Sequence, residues 1–303
     1  MSDKPTLELR QVRKCYGDFV AVAGISLAVP PGSIYGLLGP NGAGKTTTIR
    51  MMMDIIAPDE GEVRLFGRPR RPEDRRRIGY LPEERGLYQK MTVVDQMVFL
   101  AQLRGLKRRD ALPAIRDWLA RVELADWERK KVEELSKGMQ QKIQLVGTVL
   151  HDPDIVILDE PFSGLDPINQ ELFKELLAGY KTLGKTVLFS THVMEQAEKL
   201  CDSICLISRG RAVLAGRLDE IKRRFGGHSF RVTTDTPAER MVSVAGIEQA
   251  LPQDDGTVKI LLEETARPGE VLGGLVRLGE VAEFRSEAPG LEEIFIKAVR
   301  DAA

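Results

Sequence analysis

Residues 39–46 read Gly39-Pro40-Asn41-Gly42-Ala43-Gly44-Lys45-Thr46. The order fits G-x-x-x-x-G-K-[ST], a loop whose chemistry is the holding of phosphate groups. Its glycines accept backbone angles that a Cβ would forbid. Successive N–H groups can then turn inward as an anion-binding nest. A helix starting at Lys45 would add the positive end of its dipole at the same point. Lys45 supplies a mobile charge for the outer phosphates, and Thr46 a hydroxyl for Mg²⁺. A second chemical pair is Asp159-Glu160. Adjacent carboxylates at a strand end point in different directions and can divide roles: Asp159 near the metal, Glu160 as base for an attacking water. The plain alternatives are a glycine-rich turn before a surface helix and a solvated acidic pair. The flanking sequence decides against both.

Each group needs an element to aim it. Residues 33–38 are a short apolar run, a buried strand leading into the glycine loop, and residues 46–56 hold neither Gly nor Pro and read as a helix. Residues 155–158 are wholly apolar and end in Asp159-Glu160-Pro161. In a parallel sheet, ligands bind beyond that end of the strand. Residues 6–12 and 19–29 alternate apolar and polar as half-exposed strands do, and 62–66, 78–82 and 186–191 read as further strands. Helices are expected over 168–182 and 193–200. From Thr92 to Arg121 the period is helical, with breaks near Gly105 and Pro113. Ser136 is placed to cap a helix running to Leu150. The stretch of about 90–150 is thus a helical subdomain inserted between strands.

Strands alternating with helices imply a largely parallel sheet. Residues 203–209 and 212–215 form a strand pair around Arg209-Gly210, and a helix follows over 218–225. Gly226-Gly227 suggests a boundary, giving domains 1–226 and 227–303. The second holds strands at 229–233, 258–262 and 281–286 and helices at 269–278 and 290–300. It is a small α+β accessory module with a regulatory or dimer-supporting role.

The 303 residues are 43% hydrophobic and 29% charged, with net charge -1. That is an ordinary globular composition, and it signals no polyanion partner. No apolar run approaches the ~20 residues of a membrane span, and the N-terminus lacks a signal-peptide pattern, so a cytosolic chain is expected. Cys15, Cys201 and Cys205 read as buried small hydrophobes rather than disulfides or metal ligands. The six arginines of residues 68–77 read as a solvated turn and helix face; contact with anionic lipid or an acidic partner is the alternative.

Taken in order, the motifs resemble those of the nucleotide-binding subunit of an ATP-binding cassette (ABC) transporter. Gly39–Thr46 is similar to Walker A, and residues 155–160 to Walker B with the catalytic glutamate. Ser163-Gly164-Leu165-Asp166 resembles the D-loop, and Ser190-Thr191-His192 the switch histidine region. Leu135-Ser136-Lys137-Gly138-Met139-Gln140-Gln141 resembles the family signature. The resemblance covers roughly residues 5–225. It implies an α/β P-loop NTPase of ABC type with an antiparallel β subdomain and an inserted helical subdomain. It further implies a head-to-tail dimer with a second copy of the chain, ATP and Mg²⁺ as ligands, and a separate integral membrane permease as partner. The chain would then be cytoplasmic and peripheral on the membrane through that permease, with no nucleic acid expected.

On that resemblance ATP meets Gly39, Pro40, Asn41, Gly42, Ala43, Gly44, Lys45, Thr46 and Thr47 in one copy, with Tyr16 stacking on adenine. Ser136 and Gly138 face the γ-phosphate from the other copy, and Asp166 links the two sites. Glu160 and His192 act on water, and Thr46, Asp159 and Glu83 attend the metal. Two departures stand out. The family usually has Gln after the 78–82 strand; here Glu83 follows, which can bind Mg²⁺ but adds negative charge, with Gln89 a less direct substitute. In the signature, Lys137 and Met139 replace Gly and Gln. The tail, Pro289 to Ile296, resembles single-cassette bacterial exporter ATPases, including the sodium-export type. A non-transport cassette acting on ribosome or DNA is the competing reading. A small-molecule P-loop kinase would leave Asp166 and the signature without a role.

Overall fold

The structure is a computed structural model that describes residues 4–84, 86–226, 229–263, 265–287 and 289–301. The chain divides into two compact units, residues 1–216 and 217–303. In the first unit, strands β1 (Leu7–Tyr16), β2 (Phe19–Val29), β4 (Glu60–Leu65) and the short β5 (Arg68–Pro69) form an antiparallel sheet in the order β2-β1-β4-β5. The second sheet contains β3 (Ile34–Leu38), β6 (Ile78–Leu81), β7 (Ile155–Leu158), β8 (Thr186–Thr191), β9 (Ser203–Ser208) and β10 (Arg211–Arg217), in the order β10-β9-β3-β8-β7-β6. From β9 to β6 every pairing is parallel. β3, β7 and β8 are buried along their whole length, which is why they read as unbroken apolar runs rather than alternating ones. Leu7, Ile25 and Val63 of the antiparallel sheet share a core with Leu37, Ile155 and Leu188 of the parallel one.

Five helices connect these strands or sit between them: α1 (Lys45–Met52), α2 (Val93–Leu103), α3 (Arg108–Arg121), α4 (Lys137–Val149) and α5 (Pro167–Thr182). A sixth, α6 (Met194–Leu200), follows β8. α2, α3 and α4 bury Met97, Ile115 and Ile143 in a second core, against which Leu172 and Leu176 of α5 pack. Thr92 caps α2 by accepting the Asp95 N–H. The break near Gly105 is present, at φ +92° after α2. Pro113 does not break α3. It lies on the exposed face, where water can serve the carbonyl that a proline leaves without its helical donor.

The division between units falls before α7 (Leu218–Phe225) rather than after it. α7 packs with α10 (Leu291–Asp301) in the second unit. Gly227, named for the expected boundary, lies outside the described residues. The second unit has a sheet in the order β12-β13-β11-β14, formed by β11 (Ser229–Thr234), β12 (Ile247–Pro252), β13 (Val258–Leu262) and β14 (Val281–Ser286). Helices α8 (Ala238–Met241) and α9 (Pro268–Leu278) contribute Met241, Val271 and Leu275 to a core with Val232 and Ile260. β12 is an edge strand without a clear sequence signal, because its Glu-Gln-Ala-Leu-Pro run lacks β-branched residues after Ile247.

The arginine run stays largely solvated, with Arg71, Arg75, Arg76 and Arg77 exposed and Arg68 and Arg70 half-buried, but it is tied down by ion pairs. Arg68 grips Asp74 at 2.7 and 2.9 Å. Asp54 takes Arg70 at 2.5 Å and Arg75 at 2.8 Å, and Arg77 reaches Asp154 at 2.6 Å while lying over the Phe66 ring. Cys201 and Cys205 are buried and Cys15 is only half-buried; burial pushes the Cys205 thiol up to about 12.

Candidate nucleotide site

Sheet register collects the chemical groups. Leu38 pairs with Thr191, while Leu158 pairs with both Leu81 and Phe189. The residues just past these partners, Gly39, Asp159 and Pro82, therefore leave the sheet at the same edge as Ser190-Thr191-His192. The Asp159 N–H donates to the Leu81 carbonyl at 2.8 Å and closes that edge.

In the glycine loop, Gly39 has φ +150° and a Cβ there would lie 2.2 Å from the Ile207 carbonyl oxygen. Gly44 has φ +106° and its Cβ would lie 2.5 Å from the Ala21 carbonyl oxygen. Both positions are closed to any side chain by backbone. Gly44 is also the residue that caps α1, and it offers no side-chain acceptor to the first helical N–H groups. Those donors are left for an external anion. Thr46 and Thr47 stand partly buried in the first turn, while Pro40 and Asn41 are exposed and Ala43 buried.

Lys45 is only 6% exposed and bends back over the loop, donating to the Gly39 carbonyl at 2.7 Å and the Pro40 carbonyl at 3.3 Å. Glu160 lies between Lys45 and His192. Its Oε1 is 3.2 Å from Lys45 Nζ, an ion pair not aligned as a hydrogen bond, and its Oε2 is 3.1 Å from His192 Nδ1. Ser190 fixes both carboxyl residues. Its hydroxyl donates to Asp159 Oδ1 at 2.6 Å and accepts the Glu160 N–H at 2.9 Å. That bond also helps hold Glu160 at φ +49°, a left-handed conformation costing a non-glycine residue roughly 1–3 kcal/mol. Ser190 carries no site role in the sequence motifs taken alone. A signal is present: a hydroxyl at the end of an apolar strand beside the one that carries Asp159.

Asp159 is 1% exposed, and its Oδ2 has no hydrogen-bond partner. A buried carboxylate oxygen without a donor is costly. Its chemistry suits a cation or a cation-bound water. Among the described residues, no group of three or more His, Cys, Asp or Glu side chains can hold a metal by itself. Mg²⁺ usually takes one or two carboxylates together with substrate phosphates, and Asp159 presents one carboxylate oxygen of this kind. Glu83 is exposed and lines a cavity of about 340 Å³ together with Asp159, Glu160 and Lys137. Gln89 instead turns to its own loop, with Nε2 3.4 Å from the Leu87 carbonyl.

The remaining predicted residues stand apart from this group. Ser136 is the exposed cap of α4, its Oγ accepting the Met139 N–H at 3.3 Å. Asp166 is the exposed cap of α5, accepting from the Asn169 backbone N–H at 3.0 Å. These backbone and side-chain hydrogen bonds from Asn169 hold its carboxyl below the usual range. A Cβ on Gly138 would be 3.4 Å from Asn169 Nδ2, so the two caps are neighbours. No hydrogen bond or ion pair among the described residues joins Ser136, Gly138 or Asp166 to Lys45, Glu160 or His192. Tyr16 is half-exposed at the end of β1, with Lys14 Nζ 5.9 Å from its ring centre.

A glycine cradle before an uncapped helix, a lysine over the loop and a strand-end carboxyl pair define a P-loop ATPase. A family model described as ABC transporter matches residues 22–163, and one described as ATP-binding protein DrrA1-3-like, C-terminal domain, matches residues 216–299. The chain is 45% identical to the uncharacterized ABC transporter ATP-binding protein YhaQ of Bacillus subtilis, over 97% of this chain and 98% of that one. It is 38% identical to Nod factor export ATP-binding protein I of Cupriavidus metallidurans, over 96% of each. A solved ATP-binding subunit of an ABC transporter superimposes with TM-score 0.67 at 32% identity, covering 73% of this chain and 93% of that chain. The chain belongs to the ATP-binding proteins of ABC transporters and is an ATP hydrolase of that class.

Proposed function

We propose that this chain energises a separate membrane permease, as an exporter, by closing head to tail with a second copy of itself around ATP. The observation that carries the reading is the split of the site. Lys45, Asp159, Glu160 and His192 are gathered at one sheet edge. Ser136 and Asp166 are displayed on exposed helix caps with no bond to them. In a head-to-tail pair, the Ser136 hydroxyl, the Gly138 N–H and the α4 dipole meet the γ-phosphate held by the partner's loop. Glu160 accepts the proton of the attacking water, and His192 holds Glu160 in place and contacts the γ-phosphate. Thr46, Asp159 and Glu83 hold Mg²⁺, which supplies charge stabilisation at the phosphates. Tyr16 stacks on the adenine. Export is supported by the relative named for Nod factor export, which aligns along nearly the whole chain.

The permease is tested by purifying tagged protein from membranes. Among the described residues no helix is long and apolar enough to cross a membrane, so a co-purifying polytopic protein identifies the partner. Recovery of a ribosome or DNA complex instead would overturn the transport reading. The shared site is tested by Ser136→Arg, which should abolish hydrolysis while leaving ATP binding to the monomer intact. A normal hydrolysis rate in that variant would rule out a site built from two copies.

A further inference from the structure

α4 meets the sheet edge through buried amides. Gln141 and Gln144 stand three residues apart on one face of the helix and are 8% and 7% exposed. Gln144 Nε2 donates to the Glu84 carbonyl at 3.3 Å. Gln141 Nε2 makes the shorter bond, 2.6 Å to the Pro161 carbonyl. A carbonyl only accepts, so the nitrogen of the amide is the atom that must face it.

That bond falls one residue after Glu160. The Glu160 carbonyl accepts the Ser163 N–H at 3.1 Å, so residues 160–163 form a turn with proline in its second position, where proline is favoured. Glu160 opens the turn in its left-handed conformation. Two side chains bracket it: Ser190 takes its N–H at 2.9 Å, and Gln141 holds the carbonyl of the next residue. Among the described residues no backbone N–H donates to the Pro161 carbonyl. Gln141 also makes the one side-chain hydrogen bond from α4 to residues 159–166 among those residues. Packing alone does not call for an amide here. Gln141 Oε1 is buried and has no donor, and an apolar side chain of the same length would fill the space without a stranded acceptor. What the amide adds is the donor to Pro161. Beside it, Gln141, Asp159, Glu160 and Ser163 all line the cavity of about 340 Å³. With open space on that side, hydrogen bonds rather than close packing must hold the turn.

We propose that Gln141 is a positioning residue for ATP hydrolysis: by holding the Pro161 carbonyl it fixes the turn that aims the Glu160 carboxylate. The inference rests on the reading of Glu160 as the base. Gln141 acts within its own chain and through Glu160, and it has no hydrogen bond to the phosphate loop.

The test is steady-state ATP hydrolysis by the purified full-length protein, with kcat and KM read separately. Gln141→Met keeps the length of the side chain and removes the donor. Gln141→Glu keeps the shape and turns an acceptor towards the Pro161 carbonyl. A misplacement of about 1 Å at a reacting group can cost about 10²-fold in rate. Both variants should lose about 10-fold in kcat while KM for ATP stays within about twofold, because Lys45 and the glycine loop are untouched. Both should bind a fluorescent ATP analogue as the wild type does, which shows that they fold. In a Glu160→Gln background the same changes should alter the residual rate by less than about twofold, since the group they position is already gone. A raised KM at unchanged kcat would overturn the role. So would an equal loss in the Glu160→Gln background, because a side chain that merely supports the fold slows both backgrounds alike. Wild-type turnover in Glu160→Gln itself would remove the base, and the role of Gln141 with it. Slow turnover there beside full kcat in Gln141→Met would strike the Gln141 role alone.

Discussion

At the residue scale the site turns on three short contacts around Glu160. The carboxylate touches Lys45 on one side and His192 on the other, and Ser190 anchors its backbone. Glu160→Gln keeps shape and hydrogen-bonding capacity but cannot accept a proton. General-base catalysis is worth typically 10²–10⁴-fold. We expect phosphate release to fall by about that factor, while a fluorescent ATP analogue still binds at near wild-type affinity. Wild-type turnover would remove Glu160 from the role of base. Ser190→Ala deletes the donor to Asp159 and the acceptor for the Glu160 N–H in one step. Residues that orient metal-binding side chains typically cost 10–100-fold in metal affinity when changed. The Mg²⁺ concentration for half-maximal hydrolysis should therefore rise about 10-fold or more, and Mn²⁺ binding to the ATP-loaded protein, followed by electron paramagnetic resonance, should weaken in parallel.

At the element scale the helix caps matter twice, for stability and for display. Asp166 caps α5 through its bonds from Asn169. An Asp cap replaced by Ala leaves helix N–H groups without their acceptor, so Asp166→Ala should lower the urea midpoint at neutral pH. The pH dependence follows from the direction of its shift. The folded carboxyl sits below its ordinary value of 3.8, so the unfolded chain binds the proton more readily. The cap contribution is whole above about pH 4 and fades as pH falls through the folded value. The difference between wild type and Asp166→Ala should shrink when the titration is repeated near pH 3; an unchanged difference would mean the cap does not act through its charge. The arginine run makes a related point. Its side chains are largely spoken for by Asp54, Asp74 and Asp154, which leaves less charge for a lipid surface than the bare sequence suggests.

At the scale of the whole molecule, stability should carry the mark of one buried imidazole. His151 follows α4, and both its ring nitrogens are buried without partners. Burial first, then the nearby Arg104 charge, pushes its pKa down to about 4 from 6.5. Between those values the unfolded chain binds a proton that the folded chain does not. The stability present above about pH 6.5 is therefore lost progressively down to about pH 4. His151→Phe should flatten this part of the profile, measured as thermal midpoint against pH. A profile as steep as wild type would place the titrating group elsewhere. The second unit has its own core and its own cavity, so changes there should leave the ATPase chemistry standing.

Much of the site is legible in the chain because its determinants are local. Gly39–Thr46 specifies a phosphate loop through glycine conformation and the helix after it. Ile155–Leu158 specifies a buried parallel strand, and so puts Asp159-Glu160 at the binding end. The strands expected at 258–262 and 281–286 coincide with β13 and β14. What the tertiary structure decides is non-local. Only sheet register sets Ser190 against Asp159 and Glu160, 30 or so residues away, since cross-strand hydrogen bonds depend on which strands pair. Only packing turns the Lys45 side chain onto Glu160, keeps α3 continuous through Pro113 and assigns α7 to the second unit. Composition along the chain cannot rank these outcomes, because each is chosen by the burial and charge of a partner distant in sequence.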